Sequence, residues 1–271
     1  MSHVSATRSW SFPRQAFSLV ELSIVLVILG LLVGGVLSGQ SLIRAAQLRA
    51  VTTEYQRYLT AVNTFRDKYF AIPGDMPNAT SVWGKDNTRC TGHTGTTATP
   101  GTCNGDGDGT VTLDAIENYR FWQQLALAGL IEGNYNGYIS PVAFTTPPVP
   151  GTEVPTSKLG KAYWVPGYMS QSSAFHYEIG YSDLPDVREN TFLLNGRDTG
   201  FWSCRGGNAA CTPILKPEEA WNIDTKMDDG RPAFGIVRSI AGSCTTANDS
   251  TAAYNISNSS TVCAILGFRF R

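Results

Sequence analysis

The chain has 271 residues, enough for one large domain or two small ones. With 42% hydrophobic residues, only 16% charged residues and a net charge of -1, it lacks the basic excess of an electrostatic nucleic-acid binder. The 11% aromatic share excludes a disordered chain, because that much ring surface requires a core.

In chain order, the first feature is a head, Met1–Ala16, that contains Arg8 and Arg14 and no acid, so it is expected to stay cytoplasmic. A single acid, Glu21, follows. From Leu22 to Ile43 no side chain is charged, and a helix over this run is long enough to cross about 30 Å of hydrocarbon. Everything after about residue 45 is then expected to be exported. The run is longer than the 7–15 apolar residues of an ordinary signal peptide, although Leu37-Ser38-Gly39 offers a poor cleavage site. The helical pattern also continues beyond it. Leu48, Val51, Tyr55, Tyr58, Val62, Phe65 and Tyr69 recur at spacings of three and four, which predicts an apolar stripe on one helix face. Arg49, Glu54, Gln56, Arg57 and Lys68 lie mostly off that stripe, and the first breaker is Pro73-Gly74. One helix from Phe17 to Tyr69 would run roughly 80 Å at 1.5 Å per residue.

The segment Gln15-Ala16-Phe17-Ser18-Leu19-Val20-Glu21 resembles the processing motif of type IV prepilins and pseudopilins. The resemblance covers about residues 15–40, and the amphipathic extension to Tyr69 fits the family's long first helix. It implies cleavage by a prepilin peptidase between Ala16 and Phe17, with Ala16 standing where the family usually has Gly. It also implies N-methylation of Phe17 and a role for Glu21 as the assembly acid. The physics agrees: a charged side chain in an apolar helix costs roughly 2.5–3.5 kcal/mol at the bilayer centre. Pairing Glu21 with the amino terminus of a neighbouring subunit would recover that cost, and losing either partner would strand a charge.

Cys90, Cys103, Cys204, Cys211, Cys244 and Cys263 all follow the apolar run, as expected for an oxidising compartment. Six cysteines allow 15 connectivities; the sequential pairing 90–103, 204–211 and 244–263 is preferred because each bond closes a short loop. Close CxxC pairs of the zinc type are absent. Residues 84–112 read as a long polar loop. Within it, Asn104, Asp106, Asp108 and Thr110 alternate with glycines in the order of an EF-hand calcium loop. Ala115 stands where the bidentate Glu belongs, so Asp114 or Glu117 is the candidate for the missing carboxylate. A structural calcium of the weak extracellular class is favoured over the alternative of a plain Asp/Gly turn that solvates the loop, and bound calcium is known among the pseudopilins that the chain resembles.

Leu113–Leu130 reads as a helix with Thr112 as N-cap and with Ile116, Tyr119, Trp122 or Gln123, Leu127 and Leu130 on its buried side. Phe175, Tyr177, Ile179 and Tyr181 alternate as in a half-buried strand. Weaker strand signals are Gly137–Thr145, Ala162–Met169, Thr191–Leu194, Phe234–Ile240 and Val262–Phe270. Pro217 with Glu218 and Glu219 opens another helix, stopped by Gly230. The acids Asp224, Asp228 and Asp229 at its end read as a turn, with a second cation as the less favoured alternative.

No catalytic motif is found: His3, His93 and His176 stand apart, and GxSxG, HExxH and phosphate loops are missing. The fold expected is α+β: a helix half transmembrane and half amphipathic, packed on an antiparallel sheet with disulfide-closed loops. The domains expected are a leader (1–16), the helix (17–69) and an exported pilin-like domain (70–271). The function expected is a non-enzymatic subunit, minor or specialised, of a type IV pilus or type II secretion pseudopilus. Its partners would be prepilin peptidase, other pilin subunits and an inner-membrane assembly platform. The protein would sit in the bacterial inner membrane before entering a periplasmic or cell-surface filament. A membrane-tethered domain that never polymerises, or a secreted enzyme, are the alternatives. The Glu21 motif disfavours the first and the continuous helix the second.

Overall fold

Leu19–Tyr69 form one 51-residue helix, α1. The computed structural model describes residues 18–88, 90, 100–112, 117–137, 148–160, 162–169, 181, 183–184, 189–196, 212–239 and 242–270. The chain divides into two compact units, residues 1–45 and 46–271. In the first, every described side chain from Ser18 to Ile43 is exposed, and Leu, Ile and Val cover the helix on all sides. An apolar surface of this extent needs lipid or protein around it.

In the second unit the predicted stripe is the buried face of α1: Val51, Tyr55, Tyr58, Val62 and Phe65 are all in the core, with Ala61 between them. Leu48 and Tyr69 pack at its margin. Glu54 departs from the expectation, because it is buried among them. Its carboxylate accepts hydrogen bonds from the Ser157 hydroxyl (2.7 Å), the Lys158 amide (2.8 Å) and the Trp164 indole (2.8 Å). Three donors replace the water that a buried carboxylate would lose. The helix ends at Tyr69, just before Phe70, whose φ of 54° is left-handed, and before the Pro73-Gly74 breaker.

A short helix α2 (Ala79–Trp83) follows, then α3 (Glu117–Leu127). The expected helix from Leu113 is therefore described only from Glu117, since 113–116 lie outside the described residues. Its expected single buried side is also too narrow. Every residue from Glu117 to Leu125 is buried, whereas Leu127 is exposed. The polar residues of α3 are held by loops rather than by water: Gln124 bonds the Gly74 amide and the Cys103 carbonyl, and Gln123 the Gly101 and Asn136 carbonyls. Arg120 meets Asp86 at 3.3 Å in a fully buried ion pair.

Four antiparallel strands make the sheet: β1 (Ala162–Met169), β2 (Glu189–Gly196), β3 (Val237–Ser239) and β4 (Ile265–Arg269), in the order β1-β2-β4-β3. β1 contains Pro166, which an edge strand tolerates because a proline donates no ladder bond. Trp164, Phe192 and Phe268 face α1, where their rings meet Tyr55 and Tyr58 at centroid distances of 5.4–6.3 Å. Leu193 and Val165 point to the opposite face and are equally buried. A sheet covered on both faces explains the near-continuous apolar run Phe192-Leu193-Leu194. Of the other expected strands, residues 138–145 and 175–180 lie outside the described residues; Tyr181 is buried and its hydroxyl donates to the Ser239 carbonyl.

The helix predicted from Pro217 is α4 (Pro217–Met227), with the Lys216 amide donating to Glu219 at its start. Disulfides join Cys90 to Cys103 and Cys244 to Cys263, as expected; Cys204 and Cys211 lie outside the described residues. The architecture is α+β: a long amino-terminal helix whose second half packs on an antiparallel sheet.

Candidate functional site

Two groups of residues carry chemistry beyond packing, one in each unit. In the first, Ser18-Leu-Val-Glu21 forms a local cap at the start of α1. The Ser18 amide donates to Glu21 Oε2 (2.9 Å), and Ser18 Oγ accepts the Val20 amide (3.3 Å). This is the Ser-x-x-Glu pattern that satisfies the free N–H groups of a helix start, a reading absent from the sequence-based expectation for Glu21. In the isolated chain the carboxylate thus has a local partner, and it remains exposed. Ala16 and Phe17 lie outside the described residues, as do His3, His93 and His176.

The second group is built around Asp75, which follows the Pro73-Gly74 breaker. Carboxylate oxygens of Asp75, Asp106 and Glu117 all lie within 4.8 Å of one another. Asp75 and Glu117 are buried and Asp106 is exposed. Glycines permit this approach. A Cβ on Gly74, whose φ is +86°, would fall 2.4 Å from the Glu117 carbonyl, and one on Gly105 would fall 2.4 Å from the Asp75 backbone. Asp75 draws the loop inward: Oδ1 accepts the Gly107 amide (2.6 Å) and Oδ2 the Gly109 amide (2.9 Å). Glu117 Oε2 accepts the Thr112 amide (2.9 Å) and hydroxyl (2.7 Å), and Oε1 the Asp106 amide (3.4 Å).

Burial raises both inner carboxyls. Glu117 is pushed up to about 7 against the pull of its Thr112 hydrogen bonds. Asp75 is pushed up to about 6 by burial, with its bonds to Gly109 and Gly107 acting the other way and Asp106 and Asp108 adding to the rise.

The geometry admits a hard cation. Calcium–oxygen distances are about 2.3–2.6 Å, so oxygens that share one ion lie no more than about 5 Å apart; the three carboxylates meet that condition. A cleft of about 880 Å³ lies beside Asp75, lined also by Asn63, Arg66, Asp67, Phe70 and Pro77.

Of the residues expected to hold calcium, the structure brings together Asp106 and Glu117. Three others make local hydrogen bonds in the ion-free structure. Asn104 turns to α2, where Oδ1 accepts the Thr80 amide (2.8 Å). Asp108 and Thr110 hydrogen-bond each other, with Asp108 Oδ1 accepting both the Thr110 amide (2.7 Å) and hydroxyl (2.6 Å). These bonds close the turn at 108–110. Asp114 lies outside the described residues. Asp75 was missed because it stands about 30 positions before the motif; the one local signal is an acid set between the breaker Pro73-Gly74 and Pro77.

Asp224 in the last turn of α4 and Asp228 and Asp229 just after it are each held by local donors. Asp224 accepts from the Tyr254 hydroxyl (2.9 Å) and the Gly230 amide (3.1 Å), Asp228 from the Ile236 amide, and Asp229 from the Arg231 amide (2.9 Å). Their oxygens are close together, but these donors account for the clustering as backbone organisation.

Residues 12–37 match the family model described as the prokaryotic N-terminal methylation motif. No curated protein and no solved structure matches the chain. The motif points to a structural subunit rather than an enzyme, and it implies processing by prepilin peptidase and assembly with other pilins. Its position at the head of an exposed apolar helix is consistent with membrane anchoring before assembly. Residues 12–37 carry the prepilin-type signature of type IV pilins and pseudopilins.

Proposed function

We propose that this protein is a minor or specialised subunit of a type IV pilus or a type II secretion pseudopilus. The observation that carries the reading is the methylation motif at residues 12–37, which overlaps the exposed apolar part of α1, where Glu21 in the first turn is the one acid among residues 18–43. Cleavage after Ala16 exposes the amino group of Phe17, which is then methylated. The subunit waits in the inner membrane through α1 and passes to the filament at an assembly platform. There the Leu, Ile and Val side chains exchange lipid for neighbouring helices at similar apolarity. Glu21 leaves its own helix start and pairs with the amino terminus of the next subunit. Removal of residues 1–16 leaves a mature chain large for an abundant subunit, which favours the minor role.

Mass spectrometry of the amino-terminal peptide tests the processing, together with the variant Glu21→Ala. We expect a chain beginning at N-methylated Phe17, and a variant that is processed and membrane-held but missing from filaments. A start near Gln40 would instead identify an ordinary signal peptide. Filaments that incorporate Glu21→Ala at normal abundance would remove the role given to that acid.

The cluster of Asp75, Asp106 and Glu117 is read as a structural calcium site. An all-oxygen donor set suits a hard divalent cation, and two of the carboxyls are buried at the expense of their charged forms. The ion would supply positive charge where the fold collects negative charge, tying the segment after α1 to the loop and to α3.

A further inference from the structure

The last turns of α1 carry a second row of side chains, apart from the one that enters the core. Asn63, Arg66, Asp67 and Phe70 follow one another at i, i+3, i+4 and i+7, a spacing that sets them on one side of the helix. Phe70 lies just past the helix end, but its amide still donates to the Arg66 carbonyl (2.8 Å), which keeps it in the row. This row stands about a third of a turn from the buried row Tyr58, Val62 and Phe65, so it flanks the core. All four side chains line the cleft of about 880 Å³, together with Pro77 and Gly107 from later segments.

Packing does not account for these residues. Phe70 is 92% exposed, and its φ of 54° is a left-handed conformation that a bulky residue adopts only at a cost. An exposed ring also forgoes the gain of burial. Glycine at this position would relieve the backbone and remove the ring together. Asn63, Arg66 and Asp67 are exposed as well, and among the described residues none of their side chains has a hydrogen bond or an ion pair. A strained aromatic beside three uncommitted polar groups, all facing one cleft, is the arrangement of a ligand site.

We propose that this cleft binds a neutral saccharide, with Phe70 as its stacking surface. The class of ligand follows from the groups on offer. Arg66 only donates, Asp67 only accepts and Asn63 does both. The charges of Arg66 and Asp67 offset each other, so a charged ligand gains little. Asp75, on the cleft wall, already has its oxygens bonded to the Gly107 and Gly109 amides. Sugar hydroxyls donate and accept at adjacent positions, which matches the row, and the C–H face of a sugar ring suits the negative face of an aromatic one. The volume lies within the range of small-ligand sites. The site needs no metal ion and no filament, so it goes beyond both readings given above.

The test is a binding screen of the full chain, in a detergent without a sugar headgroup. The probes are immobilised neutral oligosaccharides of glucose, galactose and N-acetylglucosamine, and the tightest is then titrated by calorimetry. Wild type is compared with Phe70→Gly, Asp67→Ala and Thr64→Ala; Thr64 bonds the Thr60 carbonyl on another side of α1 and is the control. We expect Phe70→Gly and Asp67→Ala to bind at least about tenfold more weakly, and Thr64→Ala to match wild type. Phe70→Gly should melt no lower than wild type, since it relieves a left-handed backbone; lost binding without lost stability separates a ligand contact from a structural one. Should Phe70→Gly melt lower, Asp67→Ala, at an exposed helical position, decides by the same binding criterion. If no oligosaccharide binds wild type, or if both variants bind as wild type does, the proposal is overturned.

Discussion

Asp75 and Glu117 are carboxyls whose burial makes the charged form expensive, and this has a definite consequence for stability against pH. In the unfolded chain both release their protons near pH 4. In the folded, ion-free protein they hold them to about pH 6 and about pH 7. The native state therefore binds more protons than the unfolded state between those limits, and stability falls as pH rises through the window. We expect the melting midpoint in chelator to decline from about pH 4.5 to about pH 7, and saturating calcium to abolish most of that decline. Asp224, raised to about 6 by burial, leaves a residual slope that calcium does not remove. A chelator profile that rises with pH, or one that calcium leaves unchanged, would count against a cation at this cluster. At this scale the sequence was partly legible. Asp106 and Glu117 were visible as oxygen donors in a glycine-rich loop, but Asp75 was not, because its partnership is made by chain folding and not by spacing.

Among the elements, α1 and α3 show two different relations between pattern and burial. The three-and-four spacing of α1 marked its buried face correctly because exposed positions there meet water. Glu54 broke the rule, and its geometry explains why: the loop at 157–158 and Trp164 present three donors to one carboxylate. Replacing Glu54 by Ala leaves those donors buried and unpaired. We expect Glu54→Ala to destabilise the unit of residues 46–271 by about 3 kcal/mol, seen as a drop of roughly 6–12 °C in midpoint. A shift within error would mean that water or neighbouring groups replace the carboxylate without loss. Helix α3 departs further, being buried on all sides although rich in Asn, Arg and Gln. Its amides and guanidinium reach loop carbonyls and Asp86, and no amphipathic pattern encodes a helix whose polar side faces protein.

For the molecule as a whole, the unit of residues 46–271 is bound together by a small sheet, aromatic packing and disulfides. Cys263 precedes β4 and exchanges backbone hydrogen bonds with Leu215, so its bond to Cys244 fastens a loop to the edge of the core. Replacing both Cys244 and Cys263 by Ser should lower stability by about 3 kcal/mol, as expected from opening a loop of 19 residues. Denaturant unfolding under non-reducing conditions measures this directly, and equal midpoints would show the bond to be incidental. The sequence by itself determined the apolar helix, its acid at position 21, the processing motif and two disulfide pairs between near neighbours. Those features rest on contiguous residues or on local periodicity, which the covalent chain carries without folding. The tertiary structure alone decided the strand order β1-β2-β4-β3, the burial of Glu54 and of all sides of α3, and the meeting of Asp75 with Asp106 and Glu117. These depend on groups brought together from separate segments of the chain, as far as 110 residues apart for Glu54 and Trp164, and only packing of the whole chain sets such distances.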